Sequence, residues 1–181
     1  AAEKLIDEGT TNFEIIMTGG LGTIDIPSKL EPHIRLTGDS KPAELFKLIE
    51  ECDFITALMD SNTEWHKKNY AHGTCSTAFH FSLGFAKPYI IEDYFLESYD
   101  IDQSAVIFHK NQDLYSAMKR AILMNSDEYK QIQSNILKER QRRNDRSLSD
   151  IQQLLEEAKK RHTYFKKLIR PVFKRVLKFL R

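Results

Sequence analysis

Hydroxyl side chains cluster just before an apolar stretch in the middle of the chain. Thr74, Ser76 and Thr77 stand at its start, and the residues that follow predict a helix from Ser76 to Phe85. The first N–H groups of a helix have no partner within it, and the helix dipole places partial positive charge there. Such an N-terminus binds anions, and hydroxyl groups can add donors. The segment therefore predicts a phosphate-binding site.

Four further positions are candidates for the same site. Gly19 and Gly20 end the first predicted strand, and they either face a ligand or form a tight turn. Lys87 either reaches toward a phosphate or stabilises the C-terminus of a helix. Glu92 follows the fourth predicted strand, and its carboxylate either accepts hydrogen bonds from a ribose or sugar hydroxyl or lies in a solvated loop. Both interpretations of each residue stay open at this point.

Short apolar runs alternate with helical segments through the first two thirds of the chain. A first helix precedes Phe13, a second begins at Pro42, a third is the Ser76 helix and a fourth is capped by Asn111; residues 60–72 read as a polar loop. The predicted strands are Phe13–Thr18, Ile34–Thr37, Asp53–Met59, Pro88–Ile91 and Ala105–Phe108. This alternation predicts an α/β fold, a mostly parallel sheet with helices on both faces. Ligands of such sheets bind beyond the carboxyl ends of the strands.

Composition limits the classes of protein. The apolar content of 41% supports a folded core, and no segment reaches the ~18 consecutive apolar residues of a membrane-spanning helix. Cys52 and Cys75 lack a CxxC spacing, so we expect free thiols in a reducing, cytoplasmic compartment. The histidines lack the spacing of a zinc site, and we expect no metal.

Charge is distributed unevenly along the chain. Residues 159–181 contain ten Lys or Arg and no Asp or Glu, which leaves 17 basic against 26 acidic residues in the rest. We therefore expect a domain over residues 1–146 and a helical extension over 147–181, with Pro171 dividing the last segment into two helices or kinking one.

Apolar residues in this extension recur every three or four positions, and basic residues fill the other face. This pattern predicts a peripheral helix on an anionic membrane surface. The residues expected at the membrane are Phe165, Lys166, Lys167, Ile169, Arg170, Phe173, Lys174, Arg175 and Lys178. Packing on another domain, or binding to nucleic acid, would also use such a helix.

Residues 73–91, GTCSTAFHFSLGFAKPYII, resemble the C-terminal domain of GT-B glycosyltransferases. In that family a turn of small residues opens a helix that ends in Gly-Lys-Pro-hydrophobic-Ile. Here Ser76-Thr77-Ala78 stands at the turn and Ala86-Lys87-Pro88-Tyr89-Ile90 at the end, with the same spacing. The resemblance extends more weakly from Ala1 to about Glu139. It implies a Rossmann-like three-layer domain.

The resemblance also implies a function. It predicts binding of a UDP- or GDP-sugar donor, with no further cofactor, and transfer to a glycan or lipid-linked acceptor in polysaccharide biosynthesis at the inner face of the membrane. The implied donor site is formed by Gly19, Gly20, Gly73, Thr74, Ser76, Thr77, Lys87 and Glu92. Catalytic residues stay unassigned, because the general base and the acceptor site belong to the N-terminal half of such enzymes. We expect that half, with the family's phosphate-gripping Arg and Lys, upstream of Ala1.

The sequence departs from the family at one motif. Many retaining members carry two Glu seven residues apart, and the matching positions are Gly73 and Phe81. Half of a sugar-nucleotide epimerase is an alternative within the same fold. The rival from another class is a non-catalytic α/β module that its basic tail recruits to membrane or nucleic acid.

Overall fold

The computed structural model describes residues 1–20, 24–70, 76–110 and 113–179, with side chains up to residue 161. The helices are α1 (Ala2–Asp7), α2 (Pro42–Glu51), α3 (Glu64–Tyr70), α4 (Thr77–Phe85), α5 (Leu114–Leu123) and α6 (Ser126–Phe179). The strands are β1 (Ile15–Thr18), β2 (Ile34–Gly38), β3 (Ile55–Thr56), β4 (Tyr89–Glu92) and β5 (Val106–His109). The predicted α/β class is confirmed.

The strands form two parallel sheets within the described residues. One contains β1 and β2, and the other has the order β3-β4-β5. Parallel pairing agrees with the prediction, whereas the single predicted sheet is two sheets among the described residues, and β3 is much shorter than the predicted Asp53–Met59. The N–H of Met59 donates to the carbonyl of Ala57 at 2.8 Å, and this tight turn takes the chain out of the sheet soon after Thr56.

The three-stranded sheet is buried on both faces, because successive apolar side chains of β4 lie on opposite faces of the sheet. Tyr89 and Ile91 pack in one cluster with Phe79 of α4. Ile90 packs in a second cluster, with Ala117 of α5 and Ile136 of α6. Each large apolar side chain buried in this way contributes roughly 1.5–3 kcal/mol. This sheet is therefore the rigid frame of the fold.

The segment predicted as a polar loop, residues 60–72, contains the helix α3, so that prediction was wrong in part. The Oδ1 of Asp60 accepts the N–H of Asn62 at 2.7 Å, and the N–H of Thr63 donates to the Asp60 carbonyl. This turn precedes α3, whose first residue Glu64 pairs with Lys67 at 3.2 Å. A helix therefore forms after this local turn, although the spacing of apolar residues does not predict one.

The N-cap of α5 is Asp113, whose carboxylate accepts the N–H and the hydroxyl of Ser116. We expected Asn111 in this role, and that residue lies outside the described residues. Aspartate is as good an N-cap as asparagine, and composition alone does not choose between two such residues so close in sequence.

A polar cluster joins α1 to α5. Lys119 donates to the carboxylate of Glu8 at 2.5 Å, and the hydroxyl of Tyr115 donates to the same carboxylate. These bonds lower the pKa of Glu8 and raise that of Lys119. Leu5, on α1, is fully buried. The short first helix is thereby held by packing and by an ionic group.

The last helix, α6, runs for 54 residues and includes Pro171. Of the two alternatives expected at Pro171, the division into two helices is not observed, because a proline removes only one N–H bond and the helix continues through it. The chain divides into two compact units, Ala1–Arg140 and Gln141–Arg181, and the division falls within α6. Among the described residues, none of the helices is long and apolar enough to cross a membrane.

Candidate functional site

The carboxyl ends of β3, β4 and β5 meet at one edge of the sheet because the three strands are parallel. Glu92 ends β4 and is the register partner of His109, which ends β5. Ser61 follows β3 after a short connection. Polar side chains from all three strand ends are thus gathered at the edge where α/β proteins bind ligands.

Glu92 is buried, with 2% of its surface exposed, and Ser61 satisfies its carboxylate. The Ser61 hydroxyl donates to Oε1 at 2.5 Å, and the Ser61 N–H donates to Oε2 at 2.9 Å. The interpretation of Glu92 as a solvated loop acid is therefore wrong. A buried carboxylate needs such partners, since an unpaired one costs several kcal/mol. A contact between Glu92 and a sugar or ribose stays a prediction.

His109 has a buried Nδ1 that lacks a hydrogen-bond partner within the part of the chain that the structure describes. Burial lowers the pKa of His109, and the nearby charges of Glu92, Asp93 and Asp113 oppose that shift. The imidazole is therefore neutral at neutral pH. A neutral histidine at this edge carries one donor and one acceptor nitrogen for neighbouring groups.

The N-terminus of α4 is tied to the chain beyond β3 through one phenol. The hydroxyl of Tyr99 accepts the N–H of Ser76 at 3.0 Å and donates to the sulfur of Met59 at 3.3 Å. The Oγ of Ser76 accepts the N–H of Ala78 at 3.3 Å and so caps the helix. Thr77, the first helical residue, is exposed. The start of α4 therefore has a fixed position beside the end of β3.

The structure separates the other predicted donor-site residues. Gly19 follows β1 in the other sheet, has φ +114°, a conformation that favours glycine, and donates its N–H to the carbonyl of Gly38, the last residue of β2, at 2.9 Å. A Cβ at Gly20 would lie 3.7 Å from a carboxylate oxygen of Asp39. Gly73 and Thr74 lie outside the described residues.

Lys87 precedes the amino end of β4, at the edge of the sheet opposite Glu92. Its ammonium group donates to the carbonyl of Glu50 at 2.9 Å. Glu50 is the penultimate residue of α2, so the lysine charge stabilises the C-terminus of that helix. Of the predicted donor-site residues that the structure describes, only Ser76, Thr77 and Glu92 thus lie on elements that meet at or beside the carboxyl edge.

Three residues at this edge escaped the sequence analysis: Ser61, Tyr99 and His109. Ser61 and His109 follow or end short strands, and this position was the available signal. Tyr99 lies in the irregular segment between β4 and β5, where neither periodicity nor spacing indicates a role. Its contacts with Ser76 and Met59 depend on tertiary packing alone.

The helix α3 adds aromatic surface next to this edge. Trp65 is 60% exposed, and its ring centroid lies 5.7 Å from that of Tyr70 and 5.5 Å from that of His66. The Nδ1 of His66 accepts the N–H of Asp60 at 3.0 Å, which fixes the ring. An exposed, braced indole of this kind can stack on a planar ligand group.

The described residues contain neither a group placed to bind a metal ion nor a cysteine with a lowered pKa. No group of three or more His, Cys, Asp or Glu is placed there to hold a metal ion, and the absence of a metal stays a prediction. Cys52 is a free thiol, and burial raises its pKa, which disfavours the reactive thiolate. Cys75 lies outside the described residues.

Neither protein-family models nor curated proteins gave a match to this chain. The interpretation of the site therefore rests on its geometry and on the sequence motif around Ser76.

Proposed function

We propose that this chain is the donor-binding domain of a GT-B glycosyltransferase and that it binds the diphosphate of a UDP- or GDP-sugar at the N-terminus of α4. The observation that carries the proposal is the position of Ser76, which caps α4 beside the carboxyl end of β3 and is held there by Tyr99. The positive end of the α4 dipole favours an anion at this edge.

The remaining parts of the donor have partners of matching chemistry. The exposed hydroxyl of Thr77 can donate to a phosphate oxygen. The exposed indole of Trp65 offers a stacking surface for the base. The polar groups around Glu92 and His109 suit sugar or ribose hydroxyls. In this proposal, transfer to a glycan or lipid-linked acceptor requires an N-terminal domain that supplies the general base.

Titration with nucleotides tests the proposal directly. Because Trp65 is the single tryptophan, its fluorescence reports binding of UDP, GDP and their sugars, and calorimetry supplies the affinity. We expect saturable binding by at least one nucleoside diphosphate and weaker binding by the corresponding nucleoside. If neither a nucleotide nor a nucleotide sugar binds at millimolar concentration, the donor-binding function is refuted.

Two N-cap variants separate ligand binding from folding. Ser76→Ala and Asp113→Ala each remove the side-chain cap of a helix next to the same sheet. Each should cost about 0.5–2 kcal/mol of stability. Only Ser76→Ala should weaken nucleotide binding, by roughly tenfold for a lost interaction of ~1.4 kcal/mol. Equal effects of both variants on nucleotide binding would place the ligand elsewhere.

An anionic membrane surface is the second candidate partner, and the continuity of α6 favours it. Because the helix includes Pro171, the basic and apolar positions of residues 165–178 belong to one helix. The proposed location is peripheral, on the cytoplasmic face of a membrane. Sedimentation with phosphatidylglycerol vesicles, with and without residues 159–181, tests this. Nucleotide binding should survive the truncation, and its loss would favour the non-catalytic module instead.

A further inference from the structure

The start of α4 has few N–H groups left for an anion. The N–H of Ser76 donates to the hydroxyl of Tyr99 at 3.0 Å. The N–H groups of Ala78 and Phe79 donate to the hydroxyl and the carbonyl of Ser76, at 3.3 and 3.0 Å. A bound phosphate needs hydrogen-bond donors as well as a favourable dipole. Beyond the N–H and the hydroxyl of Thr77, those donors must come from neighbouring elements.

His66, on the preceding helix α3, carries a donor of this kind. Its Nδ1 accepts the N–H of Asp60 at 3.0 Å. A backbone N–H only donates, so Nδ1 holds no proton, and the neutral ring carries its proton on Nε2. Within the described part of the chain, Nε2 has no hydrogen-bond partner. His66 therefore offers one N–H whose direction is set by the bond on the opposite side of the ring.

The connection after β3 links His66 to both sides of the carboxyl edge. Met59 is joined through the Tyr99 hydroxyl to the start of α4. Ser61 binds the carboxylate that ends β4. Asp60 lies between these two residues and holds the imidazole. The His66 ring is therefore anchored to the same short segment that positions the start of α4 and the end of β4.

Neighbouring rings keep the imidazole in place. Its centroid lies 5.5 Å from that of Trp65 and 5.9 Å from that of Tyr70. Tyr70 in turn packs against the buried cluster that contains Phe79 and Tyr99. A side chain that is already held by a hydrogen bond and by ring contacts loses little freedom when a ligand binds, and this pre-organisation favours affinity.

We propose that His66 is a further donor-binding residue and that its Nε2–H donates to a phosphate oxygen of the nucleoside diphosphate. This inference rests on the proposed binding of that diphosphate at the start of α4. A phosphate oxygen suits the group because it only accepts hydrogen bonds, and bonds to a charged acceptor are roughly twice as strong as neutral ones. The bond between Nδ1 and Asp60 then fixes the tautomer that the ligand needs.

Two variants of similar shape separate the roles of the two ring nitrogens. In His66→Asn the side-chain oxygen takes the place of Nδ1 and can still accept the N–H of Asp60, but nothing replaces Nε2. In His66→Gln the side-chain nitrogen takes the place of Nε2 and can still donate, but nothing replaces Nδ1. Urea unfolding of the full chain reports on the bond to Asp60. Calorimetric titration with UDP, GDP and the corresponding nucleosides reports on the contact with the ligand.

We expect opposite effects of the two variants. His66→Asn should unfold at the same urea concentration as the unaltered chain and bind the diphosphate about tenfold more weakly, with its affinity for the nucleoside unchanged. His66→Gln should be less stable, yet it should bind the diphosphate more tightly than His66→Asn does. His80→Asn, which removes an exposed imidazole from α4, is the control and should change neither stability nor binding.

Two outcomes would overturn this proposal alone. Full affinity for the diphosphate in His66→Asn would leave the ring with only a role in holding α3. An equal loss of affinity for the nucleoside would assign the ring to the base or the ribose instead of a phosphate. Both outcomes leave the proposed donor binding intact, whereas an unaltered chain that binds no nucleotide would refute that function and this inference together.

Discussion

Ser61 donates two hydrogen bonds to the carboxylate of Glu92 at the carboxyl edge of the three-stranded sheet. The serine hydroxyl binds one carboxylate oxygen and the serine backbone N–H binds the other. The carboxylate is buried, so it has exchanged bulk water for these partners. The contact fixes the connection after β3 against the end of β4. It thereby sets the shape of the edge at which we propose the donor binds.

Removal of the serine hydroxyl should destabilise the fold. In Ser61→Ala the carboxylate keeps the backbone N–H but loses the shorter bond, and an under-satisfied buried acceptor costs about 1–3 kcal/mol. Urea unfolding measures the loss. Ser98→Ala removes an exposed hydroxyl between β4 and β5 and should change the free energy of unfolding by less than about 0.5 kcal/mol. A Ser61 variant as stable as the Ser98 control would mean that water replaces the hydroxyl.

Tyr99→Phe should uncouple the start of α4 from the end of β3. The variant keeps the ring, which packs edge-on against Phe79 at 5.5 Å, but it leaves the N–H of Ser76 without its acceptor. We expect a loss of about 1 kcal/mol in unfolding free energy and weaker nucleotide binding. Tyr94→Phe, at an exposed tyrosine of the same segment, is the matched control. Unchanged nucleotide affinity in Tyr99→Phe would show that this tether does not position the site.

The sequence predicted the elements whose signal is local. Pro42 begins a helix, another helix starts next to Ser76, and the apolar run at β4 is a buried strand, as the structure confirms. These features follow from proline geometry, hydroxyl capping and continuous burial. Each of these effects depends on residues that are close together in the sequence, so the sequence alone predicts it.

The wrong predictions concern side chains whose partners are set by tertiary packing. Lys87 was predicted near the ligand or at the end of its own helix, and it caps α2 instead. Glu92 had either a ligand or water as its expected environment, and it is buried against Ser61, 31 residues away. Such partners meet only after the strands pair, so neither spacing nor composition encodes them.

Ala86→Gly should stabilise the protein. Ala86 ends α4 in the left-handed region at φ 52°, a conformation that costs a residue with a side chain roughly 1–2 kcal/mol. The greater entropy of glycine in the unfolded chain offsets part of that relief, so the expected gain is about 0.5 kcal/mol. Ala78→Gly, inside the same helix, should instead cost about 1 kcal/mol. Thermal unfolding compares the two, and a loss in both would indicate that the Ala86 methyl packs more strongly than its strain costs.

Acidification should lower the free energy of unfolding in two stages. Burial lowers the pKa of His109 in the folded state. As the pH falls below about 6.5, His109 is therefore protonated more readily in the unfolded chain than in the folded one, and the free energy of unfolding decreases. Hydrogen bonds lower the pKa values of Glu8 and Asp113, so the stability that they contribute is lost only below about pH 4.5.

Urea unfolding at pH 7.5 and 5.5 isolates the first stage. His109→Gln should lose less stability between these values than the unaltered chain does. His80→Gln, at an exposed position of α4, is the matched control. An identical pH response in both variants would assign the upper stage to other groups.

The cluster of Glu8, Tyr115 and Lys119 has a consequence for synthesis on the ribosome. The first helix finds its ionic partners more than a hundred residues later in the chain. Since translation proceeds at about 5–20 residues per second, α1 waits several seconds for α5 to emerge. During that interval the side chain of Leu5 stays uncovered, and a helix of six residues is too short to persist alone. Chaperone binding to nascent chains should therefore concentrate on the α1 segment and cease once α5 has been made.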